Sequence, residues 1–141
     1  MAIAYLTRRI SFAAAHRYRL PELNDEENAR RFGLCARPNY HGHSYTCEVT
    51  VRGPIEPRSG MIVDLGDLDR VLERDVRARF DHANLNLDIP EFAEGKLMPT
   101  GENLARHIFE TVQRGLASGS VTVHEVRVAE DSALSASYRG E

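Results

Sequence analysis

The clearest pattern in the chain is an alternation of two kinds of side chain over residues 41–52. One set comprises His41, His43, Tyr45, Cys47, Val49 and Val51. The other set comprises Ser44, Thr46, Glu48 and Thr50. Because consecutive side chains of a strand point to opposite faces, each set shares one face. The first set therefore predicts a core-facing strand surface that carries two histidines at its upstream end.

Further elements follow from similar patterns. Residues 3–12 have the composition of a strand, and short strands are expected over roughly 120–128 and 133–138. A helix is predicted from near Asp64 to about Asp81, and Thr100 is the expected N-cap of a second helix. Their apolar stripes are Leu65, Leu68, Leu72, Val76 and Phe80, and Leu104, Ile108, Val112 and Leu116. Residues 17–40, with a charge run at 24–28, are expected to form a loop, as are residues 84–86.

The order strand, strand, helix, helix, strand, strand predicts an α+β fold. Two helices would cover one face of a four-stranded antiparallel sheet. Such a sheet has exposed edges, which strand pairing between subunits would cover. Residues 1–141 are expected to form a single domain, since no linker or repeat divides them.

Composition narrows the class of protein. The 18 basic and 21 acidic residues give a net charge of −3, which provides no electrostatic reason to expect nucleic acid or an anionic membrane as a partner. The two cysteines do not suggest a disulfide framework. The N-terminal residues lack a signal-peptide pattern, and no apolar run approaches a membrane span. We therefore expect a cytoplasmic protein.

Three histidines are the strongest candidates for chemistry. His41 and His43 can direct two imidazoles to one point, and His16 could add a third from a neighbouring strand. Three imidazoles with an open fourth position are typical of catalytic zinc. A structural zinc would need a fourth ligand, for which Cys35 or Cys47 could serve. The alternative is that the histidines are ordinary polar strand residues, but buried polar groups on a core face need partners.

Four more residues could take part in acid–base chemistry or binding. Cys35 lies six positions before His41 and could be a fourth ligand or a thiol that transfers protons. Asp81 and His82 pair a carboxylate with an imidazole, although a histidine at a helix C-terminus also interacts favourably with the helix dipole. Glu125 ends a short apolar alternation and would need a partner or ligand if buried; a solvent-exposed Glu125 on a frayed strand is the alternative.

Six sequence blocks resemble the 6-pyruvoyltetrahydropterin synthase family, which includes the 6-carboxytetrahydropterin synthases of queuosine biosynthesis. The blocks are FAAAH at 12–16, CARPNYHGH at 35–43, GMIVD at 60–64, DHANLN at 81–86, PTGEN at 99–103 and VTVHE at 121–125. They span nearly the whole chain in the order that the family has them. The resemblance implies a tunnelling fold, in which subunits join their sheets into a barrel, and a homohexamer built as a dimer of trimers with active sites at subunit interfaces.

The resemblance also implies roles for individual residues. His16, His41 and His43 would bind zinc, and Cys35 would be the general base, with Asp81 and His82 as its partners in proton transfer. Glu125 would anchor the pterin ring, and Thr100 and Glu102 would contribute to substrate binding. These nine residues form the predicted site.

The implied reaction converts the small molecule 7,8-dihydroneopterin triphosphate to 6-pyruvoyltetrahydropterin and triphosphate. Five residues separate Cys35 from His41, a spacing that resembles the pyruvoyl-type enzymes; the queuosine-type enzymes commonly have three. The 6-carboxytetrahydropterin product remains the alternative, as does a non-catalytic pterin- or metal-binding module. A zinc hydrolase fits less well because no His-Glu-x-x-His motif is present. The sequence leaves open whether Mg²⁺ accompanies the triphosphate.

Overall fold

The computed structural model describes residues 1–117 and 119–141 and has an α+β architecture. Five strands form one mixed sheet in the order β3-β1-β2-β4-β5. The strands are β1 (Ile3–His16), β2 (His41–Pro54), β3 (Ala83–Asn84), β4 (Thr122–Ala129) and β5 (Ser135–Tyr138). The four antiparallel strands match the prediction, while the two-residue β3 adds a parallel pairing with β1 at Ala14–Ala15.

The predicted helices are present. The first is α2 (Leu65–Leu72), which continues through a π-helical turn (Glu73–Arg77) into α3 (Ala78–Phe80). The second is α5 (Gly101–Gly115), and the Thr100 hydroxyl caps it by accepting a hydrogen bond from the Asn103 amide at 3.2 Å. A short helix, α4 (Leu85–Asp88), replaces the loop expected at 84–86.

The prediction of a loop over residues 17–40 was wrong, because α1 (Asp25–Phe32) lies within it and is followed by a 3₁₀ turn (Gly33–Ala36). The Asn24 side chain accepts a hydrogen bond from the Glu27 amide, and the Glu27 side chain accepts one from the Asn24 amide. This reciprocal capping box stabilises the helix, as do the acidic residues in its first turn and the basic residues in its last. The charged residues at 24–28 are therefore the start of a helix and not a loop.

The core lies between the helices and one face of the sheet. The predicted inward face of β2 is buried completely from Tyr45 to Val51 at alternate positions. The predicted apolar stripe that runs from α2 through the π-helical turn into α3 is also buried, except that Leu65 is exposed. None of the described helices is long and apolar enough to cross a membrane.

One irregularity changes which residues of β4 face the core. Thr50 pairs with Glu125 and the next residue, Val51, pairs with Val123, so β4 carries one extra residue, His124, at this point. This bulge puts both Val123 and Val126 into the core although three positions separate them. Glu125 consequently lies on the same face as Thr50, away from the core.

Candidate functional site

The three predicted histidines converge at one end of the β1–β2 ladder. His16 pairs directly with His41, and His43 follows two residues later on the same face of β2. The ring centroids lie 4.7 Å apart for His16 and His41 and 5.1 Å apart for each of the other two pairs. One ligand nitrogen from each ring lies within 4.8 Å of the others, which is close enough for all three to bind one metal ion.

Burial favours the neutral imidazole of His16 and of His41. His16 has no exposed surface, and burial lowers its pKa to about 4, partly opposed by a hydrogen bond to Pro99 and reinforced by the other two histidines. Burial and the neighbouring His43 also lower the pKa of His41. Because a neutral imidazole is the form that binds metals, the environment suits metal binding at neutral pH.

The hydrogen bonds leave ring nitrogens available. His16 Nδ1 donates to the Pro99 carbonyl at 2.8 Å, since a carbonyl can only accept, and Nε2 therefore keeps its lone pair. The Tyr45 hydroxyl lies 3.4 Å from this Nε2. His41 Nδ1 and His43 Nε2 are buried without a hydrogen-bond partner among residues 1–117 and 119–141. Buried polar atoms rarely remain unpaired. Together with His16 Nε2, these two nitrogens fit a zinc ion that has an open fourth position.

A carboxylate that the sequence reading missed lies beside the histidines. The Glu130 carboxylate oxygens lie 4.0 Å from His16 Nε2 and 3.7 Å from His43 Nε2. The Tyr18 hydroxyl donates to Glu130 at 3.2 Å, and only 10% of the Glu130 side chain is exposed. Burial is the main cause that raises the pKa of Tyr18, with a further contribution from Glu130, so this hydroxyl remains a donor.

The register explains why Glu130 faces the site. Thr46 pairs with Ala129 and Cys47 with Val128, so continuing this register one residue past the end of β4 places Glu130 opposite Tyr45, on the core side. A signal was present in the sequence, because Val126, Val128 and Glu130 continue one alternation. The strand predicted to end at 128 stopped two residues short of it.

Thr100 and Glu102 lie close to this cluster. Pro99, which accepts the His16 hydrogen bond, immediately precedes Thr100. Glu102 lines a small cavity of about 40 Å³ together with Tyr18 and Glu130. The structure therefore brings the start of α5 close to His16.

Cys35 reaches the same region through the backbone. It lies in the 3₁₀ turn, and its carbonyl accepts a hydrogen bond of 2.8 Å from the Tyr18 amide. The Cys35 thiol is free and partly exposed. Cys47, the other candidate for a fourth ligand, is completely buried in the core.

Asp81 and His82 form a pair at the edge of the sheet. The Asp81 carboxylate accepts hydrogen bonds from the Ala13 amide at 2.9 Å and from Arg77 at 3.1 Å, and it lies 3.2 Å from His82 Nδ1. The Ala13 hydrogen bond is the main cause that lowers the pKa of Asp81. His82 has a positive φ of 62° and an 84% exposed side chain. The contacts of this pair are with β1 and the end of the helix, and not with Cys35.

Glu125 is the predicted site residue that the structure separates most clearly from the histidines. On the outer face of the sheet, it accepts hydrogen bonds from Arg139 at 2.7 Å and Ser137 at 3.2 Å. The Arg139 hydrogen bond is the main cause that lowers its pKa. Within one chain, the buried carboxylate next to the histidines is Glu130 and not Glu125.

Comparison with known proteins gives a consistent result. Residues 5–141 match the family model described as 6-pyruvoyl tetrahydropterin synthase. The human 6-pyruvoyl tetrahydrobiopterin synthase is 41% identical over 138 residues, covering 98% of this chain and 92% of the human protein. A Rickettsia typhi 6-carboxy-5,6,7,8-tetrahydropterin synthase is 30% identical over 116 residues, covering 72% of this chain and 75% of that protein.

The fold has a close structural counterpart. The solved structure of Caenorhabditis elegans 6-pyruvoyl tetrahydropterin synthase superimposes with a TM-score of 0.92 at 35% identity. The match covers 100% of this chain and 98% of that chain. The agreement therefore extends to the whole sheet and both helices, and not only to the histidine-bearing strands.

Proposed function

Because this chain belongs to the 6-pyruvoyl tetrahydropterin synthase family, we propose that it is a zinc-dependent lyase that converts 7,8-dihydroneopterin triphosphate to 6-pyruvoyltetrahydropterin and triphosphate. The observation that best supports this is the cluster of His16, His41 and His43, which offers one ligand nitrogen per ring to a common point. The adjoining Glu130 carboxylate offers a hydrogen-bond acceptor for a polar ring beside the metal ligands.

We propose that the three histidines hold the zinc ion. When bound, zinc supplies Lewis-acid chemistry that polarises the side-chain oxygens of the substrate and acidifies the neighbouring C–H group. In the proposed reaction the Cys35 thiolate accepts that proton as general base. The loss of triphosphate and internal redox rearrangement then yield the tetrahydropterin, so no external oxidant or reductant is consumed.

Asp81 and His82 are proposed to move the second proton. Asp81 is held by the Ala13 amide and by Arg77, so it can orient the exposed His82 imidazole. Since this pair and Cys35 have separate contacts within the chain, we propose that they meet across a subunit interface.

For the pterin ring, two carboxylates are candidates. A carboxylate matches the N–H groups of the pterin edge because it can accept two charge-assisted hydrogen bonds. Glu130 is favoured by its position beside His43 and by its low exposure. Glu125, which the family resemblance indicated, would need a partner subunit to bring its face of the sheet to a metal site. Thr100 and Glu102 are proposed to line the same pocket.

We propose that residues 1–141 form one domain and that the functional unit is an oligomer. Among the described residues, β1 pairs with β3 only at Ala14 and Ala15, which leaves residues 3–13 as an open strand edge. Such an edge favours pairing with another subunit. We propose a homohexamer, as a dimer of trimers, in the cytoplasm, where the two free cysteines would stay reduced.

The decisive experiment is turnover by purified, zinc-loaded protein. We expect conversion of dihydroneopterin triphosphate with release of triphosphate and a 6-pyruvoyl product, identified by mass spectrometry. A 6-carboxy product would instead support the queuosine-type alternative, which the Rickettsia relative's name keeps open. No turnover by metal-loaded protein, with or without added Mg²⁺, would refute the enzyme proposal.

The variant Cys35→Ala separates the enzyme from a pterin- or metal-binding module. If Cys35 is the base, the variant keeps its zinc and loses turnover. If zinc is lost as well, Cys35 is a fourth ligand and the site is structural. Cys47→Ala is not a suitable control because Cys47 is buried in the core; Cys35→Ser, which keeps the size of the side chain, is.

A further inference from the structure

A cleft of about 430 Å³ lies next to the turn that carries Cys35. It is lined by Arg17, Arg19 and Arg37, with Asp25, Gly33 and Ala36 among its other walls. Gly33 and Ala36 belong to the 3₁₀ turn on either side of Cys35, and Arg17 directly follows His16. The cleft is thus only a few residues along the chain from the proposed base and from a proposed metal ligand.

The guanidinium groups are held in place but are not neutralised. Glu94 accepts from Arg17 at 3.4 Å and from Arg19 at 3.1 Å, and Asp25 accepts from Arg19 at 2.6 Å. Among residues 1–117 and 119–141, no carboxylate forms an ion pair with Arg37. Three guanidinium groups therefore face two carboxylates, which leaves net positive charge at the cleft.

Partial burial of Arg17 and Arg19 strengthens their attraction for an anion. The side chains of Arg17 and Arg19 are only 17% and 23% exposed, and Arg17 also stacks over the Tyr40 ring at 5.1 Å. Electrostatic attraction is stronger for such partly buried groups than for charges in open solvent. Asp25, in contrast, is 91% exposed, so an anion with more charge can displace it from Arg19 at little structural cost.

A second basic cleft provides a comparison. Arg74, Arg79 and Arg114 line a cleft on the helical layer. Arg74 is paired with Asp75 through two hydrogen bonds of 2.7 and 2.8 Å, and Arg79 contacts both oxygens of Glu91. Arg114 lies at the far end of α5, about 20 Å along a helix whose start adjoins His16, given a rise of about 1.5 Å per residue. Because both clefts set three guanidinium groups against two carboxylates, position and not charge makes the cleft next to the Cys35 turn the better candidate for an anionic part of the substrate.

We infer that Arg17, Arg19 and Arg37 bind the triphosphate group of the substrate. This inference rests on the proposed function for the identity of the anion. The planar guanidinium group can donate two hydrogen bonds to phosphate oxygens, which suits a polyphosphate chain better than a single point charge would. Binding at this cleft would hold the leaving group next to the turn that carries Cys35 and would select the triphosphate ester over unphosphorylated dihydroneopterin.

The test measures binding of inorganic tripolyphosphate to zinc-loaded protein by calorimetry. Arg19→Gln and Arg37→Gln should each weaken binding by roughly tenfold, the loss expected for one charge-assisted contact. The matched control Arg114→Gln removes the same charge from the remote cleft and should leave the affinity unchanged. Arg37→Gln keeps the test valid if another variant fails to fold, because Arg37 is exposed and has no ionic partner among the described residues.

Two results would overturn the inference. One is unchanged tripolyphosphate affinity in both Arg19→Gln and Arg37→Gln; the other is an equal loss in Arg114→Gln, which would indicate net charge alone. Affinity for unphosphorylated 7,8-dihydroneopterin should be the same in all variants. Failure of the proposed function would give a different result, namely no turnover by wild-type protein. The tripolyphosphate assay measures binding alone, so its outcome does not depend on turnover.

Discussion

The variant Glu130→Gln should impair pterin binding more than any other conservative change of a carboxylate in this chain. The substitution keeps the size of a side chain that lies 3.7 Å from His43 and accepts the Tyr18 hydroxyl. It removes the negative charge that would accept hydrogen bonds from the pterin edge.

The magnitude follows from the change in hydrogen-bond type. A hydrogen bond to a charged group contributes about 1.5–3 kcal/mol, against about 0.5–1.5 kcal/mol for a neutral one. Two such bonds weakened by the substitution cost about 2–3 kcal/mol. Because about 1.4 kcal/mol corresponds to tenfold, kcat/KM should fall by roughly 30- to 200-fold.

The assay compares Glu130→Gln with Glu125→Gln. The control makes the same chemical change, but at a carboxylate that is paired with Arg139 on the outer face of the sheet. A surface ion pair contributes about 0–1 kcal/mol to the free energy of unfolding, so the control should stay folded. Because Glu125 lies away from the histidines, we expect its kcat/KM to stay within about threefold of wild type. If Glu125→Gln loses activity and Glu130→Gln keeps it, the reasoning from the single chain is refuted and Glu125 is the anchor.

Three further predictions concern the metal, acid stability and packing. Zinc at 100 times its Kd should stabilise the chelator-treated protein by about 2.7 kcal/mol, measured as a rise in Tm, and His43→Ala should show no such rise; an equal gain in the variant would exclude the histidine site. The metal-free protein should lose about 3 kcal/mol of unfolding free energy as the pH falls from 6.5 to 4, because the unfolded state takes up the His16 proton near pH 6.5 and the folded state only near pH 4. Urea denaturation across this range should give a flatter profile for His16→Gln, and an equally steep one would contradict the assignment to His16. Gly115→Ala should lower the unfolding free energy by about 1 kcal/mol, because its Cβ would lie 2.6 Å from Val71 Cγ1 and overpacking costs more than the gain in helix propensity. Two results would contradict this overpacking. One is a Gly115→Ala variant that is more stable than wild type; the other is a double variant in which Val71→Ala restores none of the lost unfolding free energy.

Local patterns predicted several elements well because their cause is local. The alternation along β2 depends only on the two-residue period of a strand, and the Thr100 cap depends on residues one turn apart. The helix at 25–32 was equally local. The acidic run from Asp25 has the composition of a solvated loop. The feature that predicts a helix there is the capping box between Asn24 and Glu27.

The positions of the Glu125 and Glu130 carboxylates depend on the pairing of β4 with β2, which is distant in the sequence. Strict alternation from Val121 places Glu125 with the core residues, but the bulge opposite Thr50 and Val51 moves it to the outer face. The same pairing brings Glu130 to the histidines from a position 87 residues after His43. A bulge has no strong signature in one sequence, because it is stabilised by the two strands together.

The sequence by itself predicted the three histidines as candidate metal ligands, the strand face that carries two of them and the family to which the motifs point. Each of these depends on residue types and on spacings within one element. Only the tertiary structure decided which carboxylate lies next to the histidines, that Asp81 is held by β1, and that Arg17, Arg19 and Arg37 line one cleft next to the turn that carries Cys35. Those relations join residues far apart in the chain, and strand register and loop packing establish them only when the whole sheet assembles.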